Sequence, residues 1–590
     1  MKMNKRLDDL RTLMQTYNLA AYIIPNTDPH QSEYIAEHWR SMTWVSGFDG
    51  SAGTLAVTNE FAGVWTDTRY FLQAEEQLEG SGVSLMRLQV QGQPEYVNWL
   101  ADNLPKGSEV GIDGKLFSIA QVATMRQIFE KKGIELVACD DLIKMIWKDR
   151  PAIPENPIFI HDIVYAGKSR TEKIADIRQK MDKKGVRFHL LTALDDIAWL
   201  LNIRGNDVTC NPVAICYALI TPENVQLFIN PKKIPINIAH ELKVDKIELL
   251  GYSSIENALK GLPKGAVILL SKNQVSHWLR NAIPNETELE FGASIPHYAK
   301  AIKNDVEIDH FRKVMVKDGV AMVRFFKWLE ENIGQTKISE LSAANQLEAF
   351  RAEQADFVGN SFDAISGYKG HGAIIHYRVT PETDWEMDAD GVYLIDSGGQ
   401  YLDGTTDITR TVTLGNPNEK EKIAYTSVLK AHIAVAMAHF PEGATGRHLH
   451  AICKQHVWNQ GLDYGHGTGH GVGFFLNVHE GPQRIGDGGG SSVPFQIGMV
   501  TSNEPGNYIE GAYGIRIENL IVTIPSKYEG YLTSETITLC PIDKNLIKKE
   551  LLTEAELNWF NGYHYMVYDR LSPHLNVEEI AWLRDKTSVL

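Results

Sequence analysis

Twice this chain runs through the same short plan. An apolar run ends in an acid, a glycine-bounded hexapeptide follows, and a second strand carries another acid. The first copy is VYLI with Asp396, then GQYLDG (399–404), then DITRTVTL with Asp407. The second is MVTSN with Glu504, then GNYIEG (506–511), then IRIENLIV with Glu518. Glycine-bounded turns between apolar runs read as β-hairpins. Two such hairpins, with acids on both arms, predict pseudo-twofold halves facing each other across a cleft.

The four carboxylates need a counter-charge. Asp396 ends an apolar run, and Glu518 lies between Ile517 and the apolar run after Asn519. An unpaired carboxylate in such a place takes up a proton or finds a cation. Any one of these acids alone is better read as a salt-bridged strand residue, because buried charges are usually paired. Arg410 and Arg516 stand nearby, too few for four acids on two matched hairpins. The set therefore points to a multivalent cation. Hard oxygen donors suit Mn²⁺ or Mg²⁺, and one imidazole among them tilts the choice towards Mn²⁺, Co²⁺ or Fe²⁺.

Imidazoles are supplied by DYGHGTGHGVGFFLNVHEGP (463–482), where His466, His470 and His479 stand among six glycines. So many glycines exclude a helix. They leave a loop, or a strand whose backbone something approaches closely.

The rest of the chain gives these elements a frame. At 590 residues it has room for about three or four domains. A net charge of −16 argues against nucleic acid or an anionic membrane as the main partner. Five scattered cysteines form no CxxC pair and suit a reducing compartment. The N-terminal segment reads as an amphipathic helix rather than a signal peptide, and no run of eighteen apolar residues spans a bilayer, so the expected location is the cytoplasm. Residues 6–16 read as a helix and AAYIIP (20–25) as a buried strand, and 173–185 and 188–193 return to the same grammar. Trp44 and Trp199 each stand six residues before a turn glycine, Gly50 and Gly205. Two related α/β domains follow from this, with a seam near DRPAIPENPIF (149–159). From Asn304 the texture changes to a long amphipathic helix, with Asn304 and Glu307 placed for a capping box. Further helices are expected over 339–353, 419–439 and 445–459, with strands around 373–415 and 498–524, giving an α+β domain.

The ordered donors, D-x10-D (Asp396, Asp407), His470 in HGTGHGVG, Glu504 in SNEPG and Glu518 in GIRIEN, resemble in sequence and context the five metal ligands of the "pita-bread" metallopeptidases. Within that family the chain is similar to the long, three-domain cytosolic Xaa-Pro aminopeptidases. The similarity extends to HGAIIHY (371–377), DGTTDITRT (403–411), NVHEGP (477–482), SGFDGSAGTLAVT and WTDTRYFLQA in the first domain, RGNDVTCNPV in the second, and LTEAELNWFNGYHYMVYDRLSP in the tail. Arg378 departs from the residue often found there.

The resemblance implies a fold of mixed α/β and α+β type. Two creatinase-like N-terminal domains, 1–158 and 159–303, precede a pita-bread catalytic domain, 304–590, with a C-terminal extension from about 541. It implies two Mn²⁺ per chain, or ions such as Co²⁺. Asp407 and Glu518 would bridge them, Asp396 would chelate one, and His470 with Glu504 would complete the other. His376, His466 and His479 would face the substrate, and Glu504 would shuttle the proton. Without the resemblance, His376 reads equally as a core histidine, and His479 as a turn cap before Gly481. Arg516 is expected to orient a ligating acid. The implied reaction is attack of a metal-bridging hydroxide on the bond before proline, with the glycines letting the backbone pass close to the metals. Substrates would be peptides with an N-terminal Xaa-Pro. A homodimer through the catalytic domains is expected, its motive the tail aromatics Trp559, Phe560, Tyr563, Tyr565, Tyr568 and Trp582. The rivals are a prolidase, which usually carries one N-terminal domain, a methionine aminopeptidase, which lacks these front domains, and a non-catalytic pita-bread binding protein, which typically loses ligands.

Overall fold

The computed structural model describes residues 2–90 and 92–590. It divides into two compact units, residues 1–161 with 168–297, and residues 162–167 with 298–590.

The first unit holds two six-stranded sheets with one topology. Across the first, the order is Ser84–Arg87, Ala62–Thr66, Thr54–Thr58, Ala21–Pro25, Glu109–Asp113, Glu135–Cys139. Across the second it is Ile247–Leu250, Val225–Ile229, Cys216–Ile220, Phe188–Leu191, Val267–Leu270, Glu288–Phe291. In both sheets the successive pairings are parallel, antiparallel, antiparallel, parallel, parallel. Trp44 and Trp199 stand on equivalent helices, Ser41–Ser46 and Leu194–Leu201. A repeat faint in sequence is therefore complete in structure, because any apolar residue of suitable size serves a sheet interior.

The second unit opens with the helix Asp305–Asn332. Asn304 accepts from the Glu307 amide, and the Glu307 carboxylate accepts from the Asn304 amide, closing the capping box. Phe311, Val314, Tyr425, Val428, Leu429, Ile515 and Val522 bury their side chains in the core of this unit. Helices Glu340–Ala352, Glu419–Ala436 and Gly446–Trp458 fall close to their expected spans.

Both acidic hairpins form. In the first copy the strand Val392–Ser397 runs antiparallel to Ile408–Thr413, with Asp396 opposite Thr409, and a small ladder, Gly399–Tyr401 with Gly404–Thr405, lies between them in sequence. In the second, Val500–Asn503 pairs antiparallel with Asn519–Pro525, and Gly506–Ile509 pairs with Tyr513–Arg516 between them. Asp407 and Glu518 each stand one residue before their returning strand. The same plan thus places two acids at the mouth of each copy.

The tail aromatics behave differently from expectation. Phe560 and Tyr563 are buried in the unit's own core, and Trp559, Tyr568 and Trp582 pack against it. Of the six, Tyr565 alone is largely exposed, at 70%. Covering them inside the chain removes apolar area from water as well as an interface would.

Candidate metal centre

Four chain segments converge on one buried cluster of acids. Asp396, Asp407 and Glu518 are buried, while Glu504 and His470 keep partial exposure. Asp407, His470 and Glu518 each offer a donor atom within 4.8 Å of the others. His470 stands on the short strand Gly469–Gly471, which pairs with Val500–Asn503 in the sheet that leads into Glu504. Its Nδ1 hydrogen is donated to the Gly471 carbonyl at 2.9 Å. That orients the ring and turns Nε2 towards Asp407 Oδ2 at 3.4 Å and Glu504 Oε1 at 3.5 Å.

The electrostatics are those of a site short of positive charge. Burial, only partly offset by Arg516 and reinforced by Asp407 and Glu504, raises the Asp396 carboxyl to about 6. Burial, together with Asp407, Asp396 and Glu504, pushes Glu518 well above the ordinary range. Burial pulls the His470 imidazole down, but Asp407 and Glu504 more than reverse this and carry it up to about 9. Asp396 Oδ1 and Glu518 Oε1 are buried with no hydrogen-bond partner. Orphaned buried oxygens, beside an imidazole whose Nε2 the carboxylates keep protonated where a cation would otherwise sit, fit a metal site, and four carboxylates with one imidazole fit a hard divalent ion.

The arginines divide as follows. Arg516 donates from Nη2 and Nε to Asp396 Oδ2, at 2.7 and 3.1 Å. Arg410 spends its donors on the carbonyls of Thr409, Glu518, Cys540 and Pro541, on Asn519 Oδ1 and on the Tyr563 hydroxyl. It is structural, and leaves the acids one guanidinium between them.

Of the three other histidines expected here, His479 contacts His470 of the cluster, His466 reaches it through Tyr508, and His376 is placed by its neighbour in the chain. The His479 ring stands edge-on to that of His470, with centroids 4.3 Å apart. His376 follows Ile375, whose carbonyl accepts from Arg516 Nη2 at 3.4 Å. His466 is engaged at both nitrogens: Nδ1–H donates to the Gly467 carbonyl at 2.7 Å, and Nε2 meets the Tyr508 hydroxyl at 2.8 Å. Arg516 Nη1 donates to the same hydroxyl at 2.6 Å, so the tyrosine proton is directed to Nε2. Burial and then the Arg516 charge hold this imidazole well below its usual range. His466 is therefore a neutral ring tied to Asp396 through Tyr508 and Arg516. Tyr508 had no expected role. Its signal was present, since Tyr401 and Tyr508 occupy matching positions in GQYLDG and GNYIEG.

The glycines serve the sheet. None of the glycines between 465 and 481 adopts a left-handed backbone. A Cβ at Gly469 would stand 1.9 Å from the Ser502 carbonyl oxygen, and one at Gly471 would stand 2.2 Å from that of Glu480. Bare backbone lets neighbouring chain close in and bring His470, His479 and Glu504 together, a close approach of strand to strand in addition to the expected approach to metals. Arg378 is a surface residue paired with Asp363 at 3.2 Å.

Acids in excess of bases, held in register by two copies of one hairpin, define a metal-dependent enzyme rather than a structural ion-pair network. Known families narrow that class. A model described as metallopeptidase family M24 matches residues 309–525, and one for its C-terminal region matches 530–590. Two models described as creatinase/prolidase N-terminal domain match 6–146 and 149–307. A probable Xaa-Pro aminopeptidase P of Laccaria bicolor is 41% identical over 606 residues, covering 99% of this chain and 93% of the relative. Aminopeptidase P2 of Arabidopsis thaliana is 40% identical, covering 100% and 88%. The crystal structure of an X-prolyl aminopeptidase from Caenorhabditis elegans, described as a cytosolic enzyme with a di-nuclear active site, superposes with a TM-score of 0.96 at 33% identity, over 100% of both chains. An Xaa-Pro dipeptidase from Bacillus anthracis shares the fold over 64% of this chain, at TM-score 0.51 and 24% identity. The chain belongs to the M24 metallopeptidases, in the group of Xaa-Pro aminopeptidase P enzymes with two creatinase-type N-terminal domains.

Proposed function

We propose that this chain removes the first residue from peptides with proline in second position, using two divalent ions held by Asp396, Asp407, His470, Glu504 and Glu518. The observation that carries the metal reading is the pair of partnerless buried oxygens, Asp396 Oδ1 and Glu518 Oε1, facing a cluster with one guanidinium. The substrate reading rests on relatives at about 40% identity along the whole chain. Bound cations would supply Lewis acidity and lower the pKa of water towards neutrality. The hard donor set favours Mn²⁺.

The chain's own residues do the rest. Glu504, mostly buried and steadied by the Ser502 hydroxyl at 3.3 Å, takes the proton from the attacking water and delivers it to the leaving proline nitrogen. His479, whose ring meets that of His470, and His376, which follows the Ile375 carbonyl bonded to Arg516, are read as hydrogen-bonding the scissile carbonyl as charge develops on it. His466, with both nitrogens occupied, offers its ring as a wall against the proline. The tertiary amide before proline has a fixed φ on its C-terminal side, so a shaped pocket replaces the backbone N–H that other peptidases grip.

The division into three domains, 1–158, 159–303 and 304–590, is supported in number by family models over 6–146, 149–307 and 309–590, whose breaks fall a few residues from these bounds. A cytoplasmic location is supported by five free cysteines and by a similar enzyme described as cytosolic. No helix among the described residues is long and apolar enough to cross a membrane.

The test is a choice of substrate. A tripeptide Xaa-Pro-Yaa should release its first residue, while the dipeptide Xaa-Pro should be cleaved at least about tenfold more slowly, equivalent to about 1.4 kcal/mol in the barrier. The reverse order would identify a prolidase.

A further inference from the structure

The helix Glu419–Ala436 carries none of the metal-binding candidates, yet one of its side chains reaches the strands that do. His432 is fully buried. Its Nδ1–H donates to the Asn503 carbonyl at 3.0 Å, and the Asn503 side-chain amide donates back to the His432 carbonyl at 2.9 Å. On the other edge of the ring, Asn519 Nδ2 donates to Nε2 at 3.1 Å. Asn503 precedes Glu504, while Asn519 follows Glu518. Asn503 and Asn519 are themselves cross-strand partners.

We propose that His432 is a positioning residue for the metal centre: by clamping Asn503 and Asn519 it fixes the separation of Glu504 and Glu518, the two carboxylates that the second hairpin contributes. The inference rests on the reading of those two glutamates as metal ligands.

The physical case has three parts. First, the contacts fall on the residues adjacent to the two acids, where a shift of the backbone carries directly into the carboxylate. Second, the clamp continues into the first hairpin. Asn519 Oδ1 accepts from Arg410 Nη2 at 2.8 Å, and Arg410 Nη1 donates to the Glu518 carbonyl at 2.6 Å. The Glu518 amide in turn donates to the Thr409 carbonyl at 3.1 Å, and the Thr409 hydroxyl donates to Glu518 Oε2 at 2.8 Å. One imidazole thereby closes a polar network spanning both copies of the hairpin. Third, an apolar residue would fill the same volume more cheaply if packing were the only need, since a buried polar ring costs free energy unless its hydrogen bonds are made. Here one nitrogen donates and the other accepts, which a neutral imidazole does and an aliphatic side chain cannot.

The experiment compares His432→Leu with His432→Gln, whose side-chain amide supplies one donor and one acceptor. Chelator-stripped full-length protein is titrated with Mn²⁺ by calorimetry, and kcat and KM are measured on an Xaa-Pro-Yaa peptide. For His432→Leu the expected result is Mn²⁺ affinity weakened by about 10- to 100-fold, the range seen when outer hydrogen-bond partners of metal ligands are lost. Its kcat should fall while KM stays near wild type, and His432→Gln should recover most of both. Asn519→Ala breaks the same clamp from the strand side and should show the same loss, which covers the case in which the leucine variant does not fold. A folded His432→Leu or Asn519→Ala protein with wild-type Mn²⁺ affinity would overturn the proposal. Wild-type protein that binds no Mn²⁺ would instead overturn the reading of the two glutamates on which it depends.

Discussion

At the scale of single residues, the site divides its histidines by what their nitrogens can still do. His470 spends Nδ1–H on a carbonyl and presents Nε2 to two carboxylates, the posture of a ligand. His479 stands edge-on to it, and we propose that it meets substrate instead. Asp407→Asn should therefore lower activity by about 100-fold or more and reduce metal content together. His479→Ala should lower turnover by about 100-fold with metal content unchanged. Elemental analysis of both purified variants separates the roles, and loss of metal from His479→Ala would make that residue a ligand. Which residue types form the site was legible in the sequence, because a surplus of acids beside apolar runs has few other physical meanings. The link from Asp396 through Arg516 and Tyr508 to His466 was not. Arg516 and Tyr508 share one hairpin, but the bonds at either end, to Asp396 and to His466, join segments far apart in the chain, and no spacing encodes their approach.

At the scale of elements, the second hairpin depends on close backbone approach. Gly469→Ala places a methyl group 1.9 Å from the Ser502 oxygen, which no rotamer can relieve. The strand beside Glu504 has to move, and the variant should lose about 3 kcal/mol or more in urea unfolding. Stability within about 0.5 kcal/mol of wild type would mean that the strands are not held this tightly. Local chemistry made several elements readable in advance. The capping box at Asn304 announced its helix, and the paired hexapeptides announced both hairpins. The strand order of the sheets was hidden, because it is fixed by crossovers whose partners lie tens of residues away. The glycine run was legible as close packing of backbone, but not as to what it packs against.

At the scale of the whole molecule, buried histidines outside the site give it an acid-sensitive frame. His189 is fully buried, with Nδ1–H donating to the Leu269 carbonyl and Nε2 accepting from the Ile295 amide, both at 3.2 Å. Burial pushes its imidazole down to about 4. An unfolded imidazole takes up a proton below about 6.5. Between those values the unfolded chain binds more protons, so this contribution is whole above pH 6.5 and is lost as pH falls. The stability advantage of wild type over His189→Gln should shrink by about 2 kcal/mol between pH 7 and pH 5; an advantage that does not change with pH would show that the ring is free to ionise. The tail shows why assembly is hard to read from composition: aromatic residues look alike in sequence whether they meet a partner or their own core. With Phe560 and Tyr563 committed to that core, the expected homodimer rests on the resemblance to three-domain enzymes alone, and a monomer mass by light scattering at micromolar concentration would remove it. The central claim is that this cluster would hold two divalent ions and that the chain hydrolyses the bond before proline only when they are bound. The most direct measurement titrates chelator-stripped enzyme with Mn²⁺ while following release of the first residue from an Xaa-Pro-Yaa peptide. Activity should be absent without metal and saturate at about two equivalents per chain, the number this donor set can hold; full activity in the stripped enzyme would contradict the account.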